Sequence, residues 1–273
     1  MSIFETRTAR IMLAIFLCIL FTLPFYTPGY VLDIINRIGI AIIGAIGLNI
    51  LTGFTGQISL GNAAFMAIGA FSSGYLGTKL NLPFYLCIPL AGLITASFGM
   101  FVGIPSLRIK GLYLAMATLA AHFIVEFIIV KWESVTGGVA GLTIPTPKLG
   151  SFAIDSDARL FVLIFVIAIL AVLFAKNLFR TKVGKAFVAI RDQAISAEVM
   201  GVNILKYKLL SFGISSFYVG VAGALIAYQA KIISPETFPV TVAIDYLGMI
   251  IIGGLGSILG SIYGAVFITL LPE

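Results

Sequence analysis

The chain of 273 residues is 60% hydrophobic and only 10% charged, with a mean hydropathy of +1.13. A water-facing domain carries about 25% charged residues, so a soluble globular protein is excluded and most of the surface must face hydrocarbon. The net charge of +6 comes from 17 Lys+Arg against 11 Asp+Glu. The basic residues lie in short gaps between apolar runs, the pattern of membrane topology and not of nucleic-acid binding.

A bilayer core of about 30 Å takes roughly 20 apolar residues as a helix. Apolar segments run over 11–26, 34–52, 63–78, 84–104, 112–131, 160–175, 209–229, 241–253 and 257–271. Lipid leaves unpaired backbone groups too costly, and these runs are too long and uniform for a barrel. The expected fold is an all-α polytopic transmembrane bundle of about 8–9 segments, a single transmembrane domain over residues 1–273.

The first segment follows Arg7 and Arg10 and ends at Leu23-Pro24-Phe25-Tyr26-Thr27-Pro28, with no small-x-small cleavage site. It reads as a retained helix whose N-terminus is cytoplasmic. Alternating from there, the inner segments hold Arg7, Arg10, Arg108, Lys110, Lys176, Arg180, Lys182, Lys185, Arg191, Lys206 and Lys208. The outer loops hold Asp33, Glu133, Asp155, Asp157 and Glu236. That asymmetry fits the positive-inside rule. Nine passes leave Pro272-Glu273 outside, and an ending at Leu271-Pro272-Glu273 is expected to lack a last helix. Cys18 and Cys87, each alone in an apolar run, read as small packing residues.

The second segment ends in a glycine-rich break, Asn49-Ile50-Leu51-Thr52-Gly53-Phe54-Thr55-Gly56-Gln57-Ile58-Ser59-Leu60-Gly61-Asn62. The eighth ends in another, Ile251-Ile252-Gly253-Gly254-Leu255-Gly256-Ser257-Ile258-Leu259-Gly260. Each glycine inside a helix costs about 1 kcal/mol relative to Ala. Gln57, Ser59 and Asn62 bring polar groups that lipid cannot satisfy. Paired interruptions in two halves point to a translocation pathway, which puts Gly53, Thr55, Gly56, Gln57, Ser59, Gly61, Asn62, Gly253, Gly254, Gly256 and Ser257 on it. Close helix packing through small residues is the competing explanation.

In the fifth segment His122 and Glu126 stand at i and i+4. Glu126, shortly before Lys131 and Trp132, is expected to reach the interface, and His122 to bond a neighbouring helix. A proton-coupling pair is the alternative. Asp245 is read as Glu126 is.

Between the sixth and seventh segments, Ala186, Ile190, Ala194, Ala197 and Met200 recur at helical spacing, and Gly201 sits where a helix would stop. This predicts a short amphipathic inner-face helix. It either lies on anionic lipid or docks a cytoplasmic partner, with Lys185, Arg191, Asp192, Glu198 and Gly201 at that contact.

The run Gly47-Leu48-Asn49-Ile50-Leu51-Thr52-Gly53-Phe54-Thr55-Gly56-Gln57-Ile58-Ser59-Leu60-Gly61 resembles the signature of permease subunits of branched-chain amino-acid ABC importers, the Liv-type permeases. Leu107–Tyr113, Thr136-Gly137-Gly138 with Gly141-Leu142, the segment 180–203 and Ile252–Ser257 match as well, in the family's order. The resemblance implies a bacterial-type inner-membrane location, a second permease subunit, two cytoplasmic ATPase subunits and an extracytoplasmic binding protein. It makes segment 176–208 a coupling segment for the ATPase. No GxxxxGK[ST] loop is present, so ATP hydrolysis is expected in separate subunits, and no cofactor or metal is expected. Urea, amides or other amino acids are alternative substrates. An ion-coupled secondary transporter is the alternative class, and a passive channel would leave the docking-like segment without a purpose.

Overall fold

The computed structural model describes residues 28–106, 109, 111–149, 152–153 and 156–271. The first apolar segment, with Arg7, Arg10 and Cys18, lies outside the described residues, as do Arg108, Lys110, Asp155, Pro272 and Glu273. Each of the other eight apolar segments coincides with a helix. These are α1 (Gly29–Leu51), α2 (Asn62–Thr78), α3 (Phe84–Ser106), α4 (Leu112–Lys131), α6 (Asp157–Leu178), α8 (Ile204–Ala230), α9 (Val240–Gly253) and α10 (Ile258–Leu270). A single turn, α5 (Glu133–Thr136), follows α4, and the helix α7 (Lys182–Val199) joins α6 to α8. The protein is an all-α polytopic helical bundle.

Six spans among the described residues are long and apolar enough to cross a membrane: α1, α3, α4, α6, α8 and the stretch Pro235–Gly253 that contains α9. The 17 residues of α2 and 13 of α10 fall short of a full crossing.

α1 and α8 form the centre, and α4, α6 and α9 expose most of their faces. The sequence dictates this through small residues. Gly39, Gly44 and Gly47 of α1 face Ile164 and Phe165 of α6, Tyr246 of α9 and Tyr218 of α8. In α8, Gly213, Gly220 and Gly223 meet Met100, Thr95 and the Met66 backbone. Hydrophobic burial gives little drive between helices in lipid, so packing density at small residues holds them together.

Two ends of the bundle are defined by side-chain bonds. At one, Asn36 Nδ2 donates to the Asp157 carbonyl at 3.3 Å and Gln229 Nε2 donates to Asp33 Oδ1 at 2.7 Å. There, too, β1 (Leu142–Thr143) pairs antiparallel with β4 (Ile232–Ile233), and β2 (Lys148–Leu149) pairs with β3 (Phe152–Ala153). These two-residue strands were not anticipated, because they arise where loops meet and leave no alternating run. A Cβ at Gly141 would meet the Ile233 carbonyl, so the Gly137-Gly138-Gly141 group lets this loop close. The α7 end is the opposite one.

Candidate functional site

Both glycine breaks lie at the α7 end. The first, residues 52–61, turns off α1 and then runs extended to α2. Its hydroxyls close the helix end: Thr55 Oγ1 donates to the Ile50 and Leu51 carbonyls at 2.7 and 2.9 Å, and Thr52 Oγ1 donates to the Gln57 carbonyl at 3.1 Å. Gly56 adopts φ 71°, a left-handed conformation that a Cβ would strain. Beyond it, Gln57 Nε2 donates to Ser211 Oγ of α8 at 2.7 Å, and the Leu60 N–H donates to Thr118 Oγ1 of α4 at 2.9 Å. The Gly61 N–H donates to Ser59 Oγ at 3.2 Å. Gln57, Ser59 and Asn62 are 3%, 1% and 2% exposed. Protein covers this non-helical backbone, which is the condition lipid sets for it.

The second break is a tight reversal. α9 ends at Gly253, residues 254–257 turn, and Ser257 caps α10 by accepting from the Gly260 N–H at 3.1 Å. A Cβ at Gly253 would meet the Gly260 carbonyl, and one at Gly264 would meet the Met249 carbonyl. The two helices therefore form an antiparallel hairpin with touching backbones. Here glycine serves close packing, and the turn is largely uncovered.

Asn49, on the last turn of α1, joins the two breaks. Its Nδ2 donates to the Ser257 carbonyl at 2.9 Å and to Ser261 Oγ at 2.6 Å, and its Oδ1 accepts from the Gly256 N–H at 2.9 Å. The side chain is 1% exposed. A Cβ on Gly53 would collide with Asn49 Oδ1 and the Gly256 nitrogen, so Gly53 makes room for the junction.

The segment 176–208 is fastened to the first break at two points. The rings of Phe54 and Phe179 stack with centroids 3.6 Å apart. Arg191 Nη1 donates to the Gly53 carbonyl at 3.1 Å, while Arg191 Nε and Nη2 both lie 2.9 Å from Asp192 Oδ1.

α7 is not one continuous helix. Gln193 breaks it with φ −157° and ψ 92°, leaving pieces at 182–192 and 194–199. The expected apolar stripe is divided accordingly. Ala186, Phe187, Ile190 and Ala197 are buried, whereas Met200 is exposed together with Ile195 and Val199. Lys185, Arg191, Asp192 and Glu198 are exposed. The stop at Gly201 has a physical basis: φ is 86°, its N–H donates to the Glu198 carbonyl at 2.9 Å, and the Val202 N–H donates to the Ala197 carbonyl at 2.9 Å. This is the paired bonding of a Schellman C-cap.

The sequence placed the glycines and their polar neighbours on the pathway but not Asn49, Ser211, Thr118 or Ser261, which hold them. Asn49 carried a signal as a lone amide at the end of an otherwise apolar run. His122 is 2% exposed, and neither ring nitrogen has a hydrogen-bond partner among the described residues. The expected bond to a neighbouring helix is therefore absent among the described residues. Glu126 Oε2 is 3.8 Å from His122 Nε2, and Asp245 is exposed. Among the described residues no group of three or more His, Cys, Asp or Glu could hold a metal ion.

The family described as branched-chain amino acid transport system, permease component, matches residues 30–273, which includes both breaks and α7. The chain belongs to that family. It is a permease subunit and a multi-pass membrane protein. It is 30% identical to the high-affinity branched-chain amino acid transport system permease protein LivM of Salmonella typhimurium, over 98% of this chain and 69% of the relative, with the same figures for LivM of Escherichia coli. A probable branched-chain amino acid transport permease protein, LivH of Methanocaldococcus jannaschii, is 26% identical over 82% of this chain and 73% of its own. The ribose import permease protein RbsC of Haemophilus influenzae is 22% identical over 89% and 76%. No solved structure matches. In this family member the two breaks form one assembly, clamped by Asn49 and touched by α7.

Proposed function

We propose that this permease subunit carries branched-chain amino acids across a bacterial-type inner membrane, within a complex powered by two cytoplasmic ATPase subunits. A second, related permease completes the membrane part, and an extracytoplasmic binding protein delivers the solute. The chain acts as one transmembrane unit whose α7 end faces the cytoplasm. The buried polar path of Thr55, Gln57, Ser59 and Asn62 borders the route, with Gly53, Gly56, Gly61, Gly253, Gly254, Gly256 and Ser257 shaping its inner end.

One observation carries the link to the motor. Ile195, Val199 and Met200 are 73%, 85% and 74% exposed on the outer piece of α7, beside exposed Glu198. A short apolar tip rimmed by charge, on a helix anchored to the bundle by its other face, suits insertion into a cleft of a protein partner. The substrate reading rests on the family and on the 30% identity to LivM.

The test is uptake of labelled leucine, isoleucine and valine by proteoliposomes holding the assembled complex. Accumulation is expected only with ATP inside and binding protein outside. Accumulation without nucleotide would overturn the reading. Glu198→Lys is expected to lower binding-protein-stimulated ATP hydrolysis several-fold while membrane insertion stays intact.

A further inference from the structure

We propose that Arg191 is the transmission residue of this permease, a single guanidinium through which the inner helix holds and moves both glycine breaks together. The proposal rests on the reading of α7 as the motor-facing helix and extends it inward. Arg191 sits on the last turn before the break at Gln193, so it belongs to the anchored piece and not to the exposed tip. Its side chain runs back towards the bundle. Nη1 donates to the Gly53 carbonyl at 3.1 Å, just beyond the C-terminus of α1, where a cation meets the negative end of the helix dipole.

The same side chain lines both breaks. A Cβ built on Gly56 would lie 3.3 Å from Arg191 Cγ, and one built on Gly256 would lie 2.7 Å from Arg191 Nη1. Those two glycines have φ 71° and 76°, and each presents bare backbone where the arginine passes. Asp192 holds the guanidinium through Nε and Nη2, both 2.9 Å from Oδ1. Asn49 bonds the second break to the first. A displacement of 182–192 therefore reaches the end of α1 directly and the α9–α10 turn through both Arg191 and Asn49. Lysine could keep the charge but has no fork to reach Gly53 and Asp192 at once.

Arg191 is a positioning residue, so the test separates coupling from assembly. It uses the complete complex in proteoliposomes. Arg191→Ala is expected to retain its ATPase subunits on purification yet to lose at least tenfold in both uptake and binding-protein-stimulated ATP hydrolysis. Arg191→Lys is expected to fall between. Wild-type rates in Arg191→Ala would overturn the proposal.

A second variant guards against simple misfolding. The Cβ position of Gly56 is 3.7 Å from Arg191 Cβ, close to the roughly 3.8 Å of a disulfide. In a Cys18→Ser, Cys87→Ala background, Gly56→Cys with Arg191→Cys can replace the contact covalently, with Gly56→Cys alone as the reference. Oxidation is expected to restore uptake towards that reference, and reduction to abolish it again. Uptake that is present when reduced and lost on oxidation would show that helix and break must part, and would overturn the proposal. A wild-type complex that fails to couple uptake to ATP would instead refute the underlying motor reading.

Discussion

The two glycine-rich breaks look alike in sequence and differ in construction. In residues 52–61 the glycines alternate with Thr55, Gln57 and Ser59, and the backbone is buried and bonded to α4 and α8. In residues 253–257 they alternate with Leu255 and Ser257, and the chain simply turns, its glycines spent on contact between α9 and α10. Glycine content alone therefore does not specify a pathway. The polar residues between the glycines decide whether a break is a covered, hydrogen-bonded segment or a packing turn. Close packing is what the second break shows, and pathway lining is our proposal for the first.

The sharpest way to separate the breaks is to cut their junction. Asn49→Ala removes three hydrogen bonds, each worth about 0.5–1.5 kcal/mol net and more where a buried partner is left unpaired. The expected loss is about 3 kcal/mol, read as a lowered unfolding midpoint of the purified subunit. A negligible shift would mean that the breaks are held independently. Next comes the packing turn itself. Gly264→Ala drives a methyl into the Met249 carbonyl and should cost about 1–3 kcal/mol, the usual range for overpacking, with α9 and α10 splaying. Smallest in stability is Gln57→Leu at the covered segment. Ser211 Oγ keeps its bond to the Lys208 carbonyl at 2.7 Å, so under about 1 kcal/mol is expected. Its effect should appear in transport, as several-fold slower uptake at unchanged midpoint. Equal transport would reassign the first break to packing as well.

Much of this was legible in the sequence. Hydropathy marked nine segments, and the eight within the described residues are helices, because lipid enforces long apolar runs with internally bonded backbone; glycine clusters marked both reversals. The stop of α7 at Gly201 was readable because only an αL residue closes a Schellman end easily. What escaped depends on pairings between distant residues. Asn49 with Ser257 and Ser261, Gln57 with Ser211, and Leu60 with Thr118 join positions that no local period connects. The bond from Arg191 to Gly53 escaped for the same reason. Wheel position groups Arg191 with Lys185, Asp192 and Glu198, which are exposed as it is, but does not show that a bare glycine turn lies beside it. The break at Gln193 left no proline or glycine to announce it.

The account turns on what meets the exposed tip of α7. A photo-crosslinking side chain placed at Val199, 85% exposed, can be irradiated in membranes containing the complete complex, with Leu170, 60% exposed on α6, as the lipid-facing reference. Capture of an ATPase subunit from position 199 and not from position 170 is the predicted result. Capture of phospholipid alone from position 199 would contradict it.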